Sequence, residues 1–394
     1  MSEPQHDPLW SELLSQLDAL PALVFGDSTP DDELHRDEGL RYLLRYLSAG
    51  IAMCVEFDDV DHPELGSLIE NRRSWGMDNP DTKYGFCRLA PDAAYRVTGD
   101  PGSATQLELQ VNTGHFADGR FGEWRALSRL ETDELVLGAD GSVDIVISET
   151  RPADAENWMA SGPEASYLHV REYFGDWRTE RPALFAVERI EAALPAASLV
   201  RSDLERRMEL LGLWLTAGAK SWAQMGAGLA GAPPGEIVPF TPPQDATGLG
   251  GQAYGMGAYR CAADEAVILE VAPPEARYWS LSLATWFWES ADIANRQCSV
   301  NHTQATVDPD GIARFVISHR DPGHPNWLDP AGYERGTVAV RYLYPEVISP
   351  VAYRTCAFDD LAAQLGAAAL AVAPDERRAT LLSRRRDLVA RYRR

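Results

Sequence analysis

The sequence contains two long segments that align without a gap, and this internal repeat limits the folds open to the chain. GFCRLAPDAAYRVTGDPGSATQLELQV, from Gly85, aligns with GAYRCAADEAVILEVAPPEARYWSLSL, from Gly257, at a constant shift of 172 residues. The same shift places Asp92 on Asp264. We therefore expect the chain to contain two similarly folded halves.

A second pair of segments extends the repeat. GSVDIVISETRPADAENW matches GIARFVISHRDPGHPNW with one residue deleted, and LHVREYF then matches VAVRYLY. Both halves thus carry an Asn-Trp pair, at 157–158 and 326–327, and a Val-Arg pair, at 170–171 and 340–341. We interpret the Asn-Trp pairs as folding features, in which Trp fills the end of a sandwich and Asn satisfies backbone groups of a turn.

The repeated segments consist of short alternating apolar runs separated by Gly, Pro, Asn and Asp, a pattern typical of antiparallel strands. Helical spacing of apolar residues precedes, separates and follows them; PALFAVERIEAAL, for example, is predicted as helix. The expected fold is α+β, mainly β, with two duplicated jelly-roll-like antiparallel β-sandwich units. The expected segments are an N-terminal helical segment (1–78), a first sandwich (79–180), a helical insert (181–232), a linker with the second sandwich (233–356) and a C-terminal helical tail (357–394).

Charge and composition exclude several partners. A formal net charge of −23 opposes binding to nucleic acid or anionic membranes, and no apolar run is long enough to span a bilayer. The five cysteines are scattered and no secretory signal is visible, so we expect a cytoplasmic protein with reduced thiols. The arginine-rich C-terminal tail is interpreted as a solvated helix face, with a subunit contact as the alternative. A homo-oligomer is expected.

Several motifs carry a family resemblance. NPDTKY, YRVTGDPG and an Asn-Trp corner before a Val-Arg strand are similar to the paired bacterial domains of unknown function DUF1254 and DUF1214. DGIARFVIS, NWLDPAG and TVAVRYLYPE make the C-terminal half most similar to DUF1214. The resemblance covers roughly residues 79–177 and 250–348 and implies a double β fold. It implies no particular chemistry, and the helical N-terminus departs from the usual two-domain layout.

The loop HRDPGHPNWLDP contains the strongest candidates for catalysis. His319 and His324 lie five residues apart across a Pro-Gly turn, and the first half has no matching pair of histidines. They could act as acid and base, with His302 of SVNHTQ beside them and Asp321 or Glu289 as the carboxylate. The same groups could hold a divalent metal, although no cofactor is required by any motif. The alternative is that these are ordinary surface or loop histidines.

A second candidate is the aromatic segment YWSLSLATWFWES. As one continuous strand it would have a face that is small in the middle and aromatic at the ends, suited to lining a cavity for an apolar or ring-shaped ligand. It could equally pack under helices. An amide and a guanidinium nearby could orient a substrate oxygen, and NTGHFADGRFGEW adds a polar and aromatic cluster in the first half. The predicted substrate-binding residues are Tyr278, Trp286, Trp288, Asn301, Arg320 and His115.

These observations predict an enzyme that acts on a small, largely apolar metabolite of terpenoid, steroid or acyl type. Acid-base chemistry such as hydrolysis, hydration or isomerisation is favoured over redox chemistry, because no dinucleotide fingerprint, P-loop or nucleophile elbow is present. The predicted catalytic residues are His319, Asp321, His302 and Glu289. The alternative is a non-catalytic protein that binds a small molecule or serves as an oligomeric scaffold.

Overall fold

A computed structural model describes residues 7–248, 250–365 and 372–393. Helices α1 and α2 precede the first strands, and α3 and α4 separate the two halves. A single π-helical turn, Ala52–Glu56, extends α2, and another, Trp214–Gly218, joins α3 to α4. The helices are α1 (Pro8–Val24), α2 (Glu33–Ile51), α3 (Arg201–Leu213), α4 (Ala219–Gly231), α5 (Leu361–Leu365) and α6 (Pro374–Arg393).

The first half is a sandwich of two sheets. One sheet has the strand order β1-β2-β8-β4-β5 and the other the order β7-β6-β3-β9. Neighbouring strands are antiparallel except β6 and β7, which are parallel. The strands are β1 (Gly66–Ile69), β2 (Thr82–Arg88), β3 (Tyr95–Asp100), β4 (Gln106–Asn112), β5 (Ala126–Glu131), β6 (Val143–Ser148), β7 (Asn157–Ala160), β8 (Tyr167–Tyr173) and β9 (Leu184–Arg189).

The second half repeats this topology. Its sheets have the orders β10-β16-β12-β13 and β15-β14-β11-β17, and the parallel pair recurs as β14 and β15. Two repeated sandwich-like halves in a mainly β, α+β protein are thereby confirmed. The strands are β10 (Gln252–Arg260), β11 (Glu265–Val271), β12 (Tyr278–Ala284), β13 (Ser299–Asn301), β14 (Ala313–Ile317), β15 (Trp327–Leu328), β16 (Arg335–Leu343) and β17 (Ala352–Ala357).

Each sandwich has its own apolar core because successive side chains of a strand point to opposite faces. In β4, Leu107, Leu109 and Val111 face the first core, while the alternating polar residues of the strand face away from it and are also buried. A third core lies between the helices and the outer sheet faces. There Trp214 stacks on Tyr46 with ring centroids 4.0 Å apart.

Two segments differ from the sequence-based expectation. Leu184–Arg189, part of the helix predicted for PALFAVERIEAAL, forms edge strand β9 and pairs with β3 along its whole length. Only Val187 of this strand is buried, and the backbone pairing with β3 overrides the helical tendency of the local sequence. Gly66–Ile69, within the expected helical N-terminal segment, is strand β1 of the first sandwich.

The expected C-terminal helical tail contains α5 and α6, while residues 366–371 and 394 of that segment lie outside the described residues. Across the described parts of the chain, no helix is both long enough and apolar enough to cross a membrane.

Candidate functional site: a cleft beneath the C-terminal helix

Three arginines of α6, spaced seven residues apart, face the interior of the protein. Arg377, Arg384 and Arg391 are only 6%, 6% and 5% exposed. A spacing of seven residues is close to two helical turns, so all three lie on one face. The interpretation of the arginine-rich tail as a solvated face is therefore wrong for these three residues, although Arg378 and Arg385 are exposed. Their guanidinium groups contact aromatic rings, which supply the buried surface that an apolar stripe would normally need.

Arg384, in the middle of the stripe, forms no ion pair with a carboxylate of the described residues. Its Nη1 donates to Gln304 Oε1 at 3.0 Å and its Nη2 to Ser299 Oγ at 3.1 Å. Its guanidinium lies 4.6 Å from the centre of the Trp177 ring, and its buried Nε makes no hydrogen bond within the described chain. Burial lowers the pKa of Arg384 from its ordinary value. A buried cation with only neutral partners is costly unless an anion joins it.

Arg377 and Arg391 fix the two ends of the helix. Arg377 forms an ion pair with Asp321 at 3.0 Å and also donates to Gln297 Oε1 at 2.8 Å. Arg391 donates to the carbonyl of Pro80 at 2.8 Å. Helix α6 is therefore attached to the second half at one end and to the segment before β2 at the other.

A cavity of about 360 Å³ lies under α6, between the second sandwich and the 176–178 segment of the first half. Its wall is mixed in character. Guanidinium, amide and hydroxyl groups and the carboxylates of Asp176 and Asp387 form the polar part of the wall. Its apolar part consists of Trp177, Val300, Pro325 and Val372. Thr303, Gln304 and Arg384 also lie in this wall.

The floor beside this cleft is organised by Asp81, which is fully buried. Its Oδ1 accepts hydrogen bonds from Trp177 Nε1 at 2.7 Å and Asn301 Nδ2 at 2.9 Å, and its Oδ2 accepts one from the Tyr278 hydroxyl at 2.6 Å. The carboxylate is thus fully used by donors from both halves. It contributes negative charge near Arg384 without contacting it.

The predicted catalytic residues lie in separate surroundings. The His319 Nε2–H donates to the carbonyl of Cys261 at 2.9 Å, whereas Asp321 pairs with Arg377. His302 packs edge-on against Tyr278, with ring centroids 5.5 Å apart, and its buried Nδ1 has no partner in the described chain. Burial lowers the pKa of His302. None of these three side chains shares a partner with another, so the structure does not assemble His319, Asp321 and His302 into one constellation.

Glu289 lies elsewhere, under helix α2. Its carboxylate pairs with Arg45 at 2.7 Å and accepts a hydrogen bond from Ser74 Oγ at 3.2 Å. Burial raises the pKa of Glu289 to about 7, and the neighbouring Asp78 adds to the increase. The side chain is 1% exposed, and it does not line the cavity beneath α6.

The aromatic segment after β12 is not one continuous strand. The strand ends at Ala284, and the chain turns back, so that Trp286 and Trp288 lie under the helices. Trp286 contacts His35 of α2 and Trp288 contacts Trp222 of α4. The sequence-based assignment of both tryptophans to the same strand face as Tyr278 is therefore wrong, because a turn breaks the alternation.

The remaining predicted ligand contacts also have partners of their own. Asn301 binds Asp81 and the carbonyl of Gly175 at 3.0 Å, directly beside the cleft. Arg320 is exposed and pairs with Asp359 at 3.3 Å. The His115 Nδ1 accepts from the Ala117 backbone at 3.0 Å, and burial lowers the pKa of His115 well below its ordinary value.

The possibility of a metal bound by His and carboxylate ligands has no geometric counterpart. No group of three or more His, Cys, Asp or Glu side chains converges as a metal site in the parts of the chain that the structure describes. Two segments that the sequence analysis singled out do reach the cleft, through residues close to the predicted histidines. Pro325 comes from HRDPGHPNWLDP, and Thr303 and Gln304 directly follow His302.

The residues that the sequence reasoning missed are Arg384 and its helix face. A signal was present, since Arg377, Arg384 and Arg391 repeat every seven residues, with Leu381 and Leu388 between them at helical spacing. Apolar periodicity is the usual marker of a buried helix face, and here arginines share the face with the buried Leu388. Trp177, which lies under two of these arginines, was visible only as the end of a strand-rich block.

The chain is similar to a family of unknown function and to solved structures. Residues 110–175 and 262–347, one stretch in each half, match the model of a family described as protein of unknown function (DUF1214). A crystal structure of an uncharacterised protein from Burkholderia cenocepacia is similar, with a TM-score of 0.83 and 29% identity, over 89% of this chain and 97% of that one. A crystal structure from Vibrio parahaemolyticus matches with a TM-score of 0.45 and 10% identity, over 86% and 99%. No curated protein sequence gives a significant match.

Proposed function

We propose that the protein binds a small organic anion with an apolar body in the cleft beneath α6. The observation that carries this proposal is Arg384, a buried guanidinium that lines the cleft and has only neutral hydrogen-bond partners. An uncompensated buried cation is expensive for a protein to keep, whereas a bound carboxylate, sulfonate or phosphate would offset its charge. The ligand class predicted from the sequence, a small, largely apolar metabolite of terpenoid, steroid or acyl type, is retained, with an anionic group added.

The size and lining of the cleft support a small molecule. A volume of about 360 Å³ is at the lower end of the range usual for ligand pockets. Val300 and Pro325 offer apolar contact, and Thr303 and Gln304 offer hydrogen-bonding groups next to Arg384. The anionic end of the ligand would lie at Arg384 and its apolar part along Val300.

Acid-base turnover of the bound molecule is a second candidate function. His302 directly precedes two residues of the cleft wall, and its buried Nδ1 has no partner in the described chain. Because burial lowers its pKa, the imidazole is neutral at neutral pH and could accept a proton. His302→Gln, which keeps a polar side chain, would then abolish turnover while leaving binding at Arg384 intact.

The binding proposal is tested with matched pairs of organic acids and their neutral methyl esters. Fluorescence-monitored melting of the full chain should show an increase in Tm with the acids and none with the esters. Arg384→Gln should remove this increase, while Arg386→Gln, an exposed arginine of the same helix, should keep it.

Two results would contradict the proposal. One is equal stabilisation by acid and ester, since a guanidinium site must distinguish charge. The other is an Arg384→Gln variant that is folded by circular dichroism and still responds to the acids. A variant that unfolds is replaced by Arg384→Lys, which keeps the charge but not the forked geometry, and is then expected to weaken binding at least tenfold.

Three expectations from the sequence stay predictions. The first is that the first half is similar to DUF1254. The second is that the chain forms a homo-oligomer. The third is that the protein lies in the cytoplasm. Native mass measurement tests the second and fractionation of cells tests the third.

A further inference from the structure

The duplicated halves allow each buried polar group to be compared with its counterpart. In the first half, Arg171 of β8 lies opposite Glu108 of β4 and opposite Tyr84 of β2. In the second half, Arg341 of β16 lies opposite Ser280 of β12, at the position equivalent to Glu108, and opposite Tyr254. The two arginines thus occupy equivalent places, and only the cross-strand partner differs in charge.

The first-half arginine is fully paired. Arg171 forms an ion pair with Glu108 at 3.1 Å and contacts Gln110 Oε1 at 3.4 Å. The second Glu108 oxygen accepts from the backbone N–H of Gly250 at 2.7 Å. Carboxylate and guanidinium therefore compensate each other in a site that water does not reach.

The second-half arginine has the same burial without the carboxylate. Arg341, 6% exposed, donates to Ser282 Oγ at 2.9 Å and to the carbonyl of Met77 at 2.7 Å. No carboxylate among the described residues forms an ion pair with it. Ser280 is fully buried beside the Tyr278 hydroxyl, which itself donates to Asp81. Within the described chain the Ser280 Oγ has no partner at hydrogen-bond geometry.

Asp78, in the segment before β2, is a charged group near Arg341. Its Oδ1 accepts from the Ser290 backbone N–H at 2.7 Å, and the carboxyl attracts Arg341 electrostatically without forming an ion pair with it among the described residues. The tyrosines that face Arg341 are neutral, since burial raises the pKa of Tyr84, Tyr173 and Tyr254. None of these groups takes the place of the missing Glu.

We infer that Arg341 and Ser280 form a second anion site, which binds the carboxylate of a small molecule at the position that the Glu108 side chain occupies in the first half. Serine is smaller than glutamate by about the size of a formate ion, and the Ser280 hydroxyl can donate a hydrogen bond to the incoming carboxylate. The bound group would pair with Arg341 as Glu108 pairs with Arg171. This site is separate from the cleft beneath α6 and does not depend on the function proposed for that cleft.

Formate is the probe that tests the inference, with chloride at the same ionic strength as the reference. Sodium formate should raise the Tm of the full chain, by roughly 2 °C at a concentration ten times the dissociation constant. Arg341→Gln should remove this increase, because formate lacks the apolar body with which a ligand of the cleft beneath α6 would bind. Arg384→Gln should keep it, which separates this site from the cleft.

Ser280→Glu provides an independent test that uses the first half as its template. A carboxylate in the chain should replace the bound one, so the variant should melt above the wild type without formate and should not respond to formate. Arg171→Gln is the control from the first half and should leave the formate response unchanged.

The inference is overturned if formate and chloride have equal effects on the wild type. It is also overturned if folded Arg341→Gln responds as the wild type does. A folded Ser280→Glu variant that still gains stability from formate would contradict it as well. If Arg341→Gln does not fold, the Ser280→Glu variant alone decides between these outcomes.

Discussion

Asn157 and Asn326 form the same three hydrogen bonds in the two halves of the chain. Asn157 Nδ2 donates to the carbonyls of Val136 and Asp144, and its Oδ1 accepts from the Val136 N–H at 2.7 Å. Asn326 does the same with Thr306 and Arg314, accepting from the Thr306 N–H at 2.8 Å. Each amide thus satisfies backbone groups on both sides of a turn, as the sequence predicted for the Asn-Trp pairs.

Asn326→Ala should lower the free energy of unfolding by about 2–4 kcal/mol, because it leaves buried backbone groups of Thr306 and Arg314 without partners. Urea denaturation measures the effect. Asn295→Ala, which removes bonds only to the Asp292 side chain, should cost less than about 1 kcal/mol. Equal losses in the two variants would show that the hydrogen bonds of Asn326 to the backbone contribute no more than ordinary side-chain hydrogen bonds.

Asp81→Asn should be among the most damaging single-atom changes in the chain. Both Asp81 oxygens accept from buried donors, namely Trp177, Asn301 and Tyr278, and an amide nitrogen would oppose one of them with another donor. We expect a loss of about 3 kcal/mol in the free energy of unfolding. Asp359→Asn, an exposed carboxylate paired with Arg320, should change it by less than about 0.5 kcal/mol.

Glu289 should make stability fall as pH rises. Its folded pKa of about 7 is above its ordinary value of 4.5, so the folded state holds the proton more tightly than the unfolded state does. The stabilisation is therefore complete below about pH 4.5 and is lost as pH rises through about 7. Glu289→Gln lacks this titration, so its unfolding free energy relative to wild type should increase by up to about 3 kcal/mol between pH 5 and 8.

Urea denaturation of both proteins at pH 5, 6, 7 and 8 measures that difference. The histidines are the same in both chains, so their contributions cancel in the comparison. Parallel pH profiles would show that Glu289 has an ordinary pKa in the folded protein.

His319→Ala should lower the free energy of unfolding by about 1 kcal/mol through loss of its bond to the Cys261 carbonyl. Ligand binding beneath α6 should be unaffected, since His319 does not line the cleft. A variant with unchanged Tm that has lost binding or turnover would restore His319 to the catalytic role predicted from the sequence.

The repeat was the part of the fold that the sequence predicted best. The aligned shift of 172 residues maps β4 (Gln106–Asn112) directly onto β12 (Tyr278–Ala284). Strands such as β4 and β12 can be detected in the sequence because their apolar residues alternate. This alternation depends only on the core of their own half. β9 was missed because an edge strand needs only one buried side chain, Val187, and so leaves little alternation to detect.

The candidate sites were less predictable because they depend on contacts between distant segments. The chemistry of the imidazole group made His319 and His302 candidates for catalysis, yet each contacts residues of its own half. Arg384 became significant only when its neighbours proved to be Gln304, Ser299 and Trp177, none of which is charged. The difference between Ser280 and Glu108 was present in the alignment, but its meaning required the cross-strand register with the two arginines.

The backbone segments that provide carbonyl acceptors to Arg171 and Arg341 have an evolutionary consequence. The segment before β2 supplies the Met77 carbonyl to Arg341 in the second half, and the segment before β10 supplies the Thr247 carbonyl to Arg171 in the first. In each half, the segment that leads into the first sheet therefore supplies a hydrogen-bond acceptor to the buried arginine of the other half. This is the reciprocal exchange found in two-fold symmetric dimers, and it makes the chain resemble a homodimer whose subunits have been fused and have since diverged.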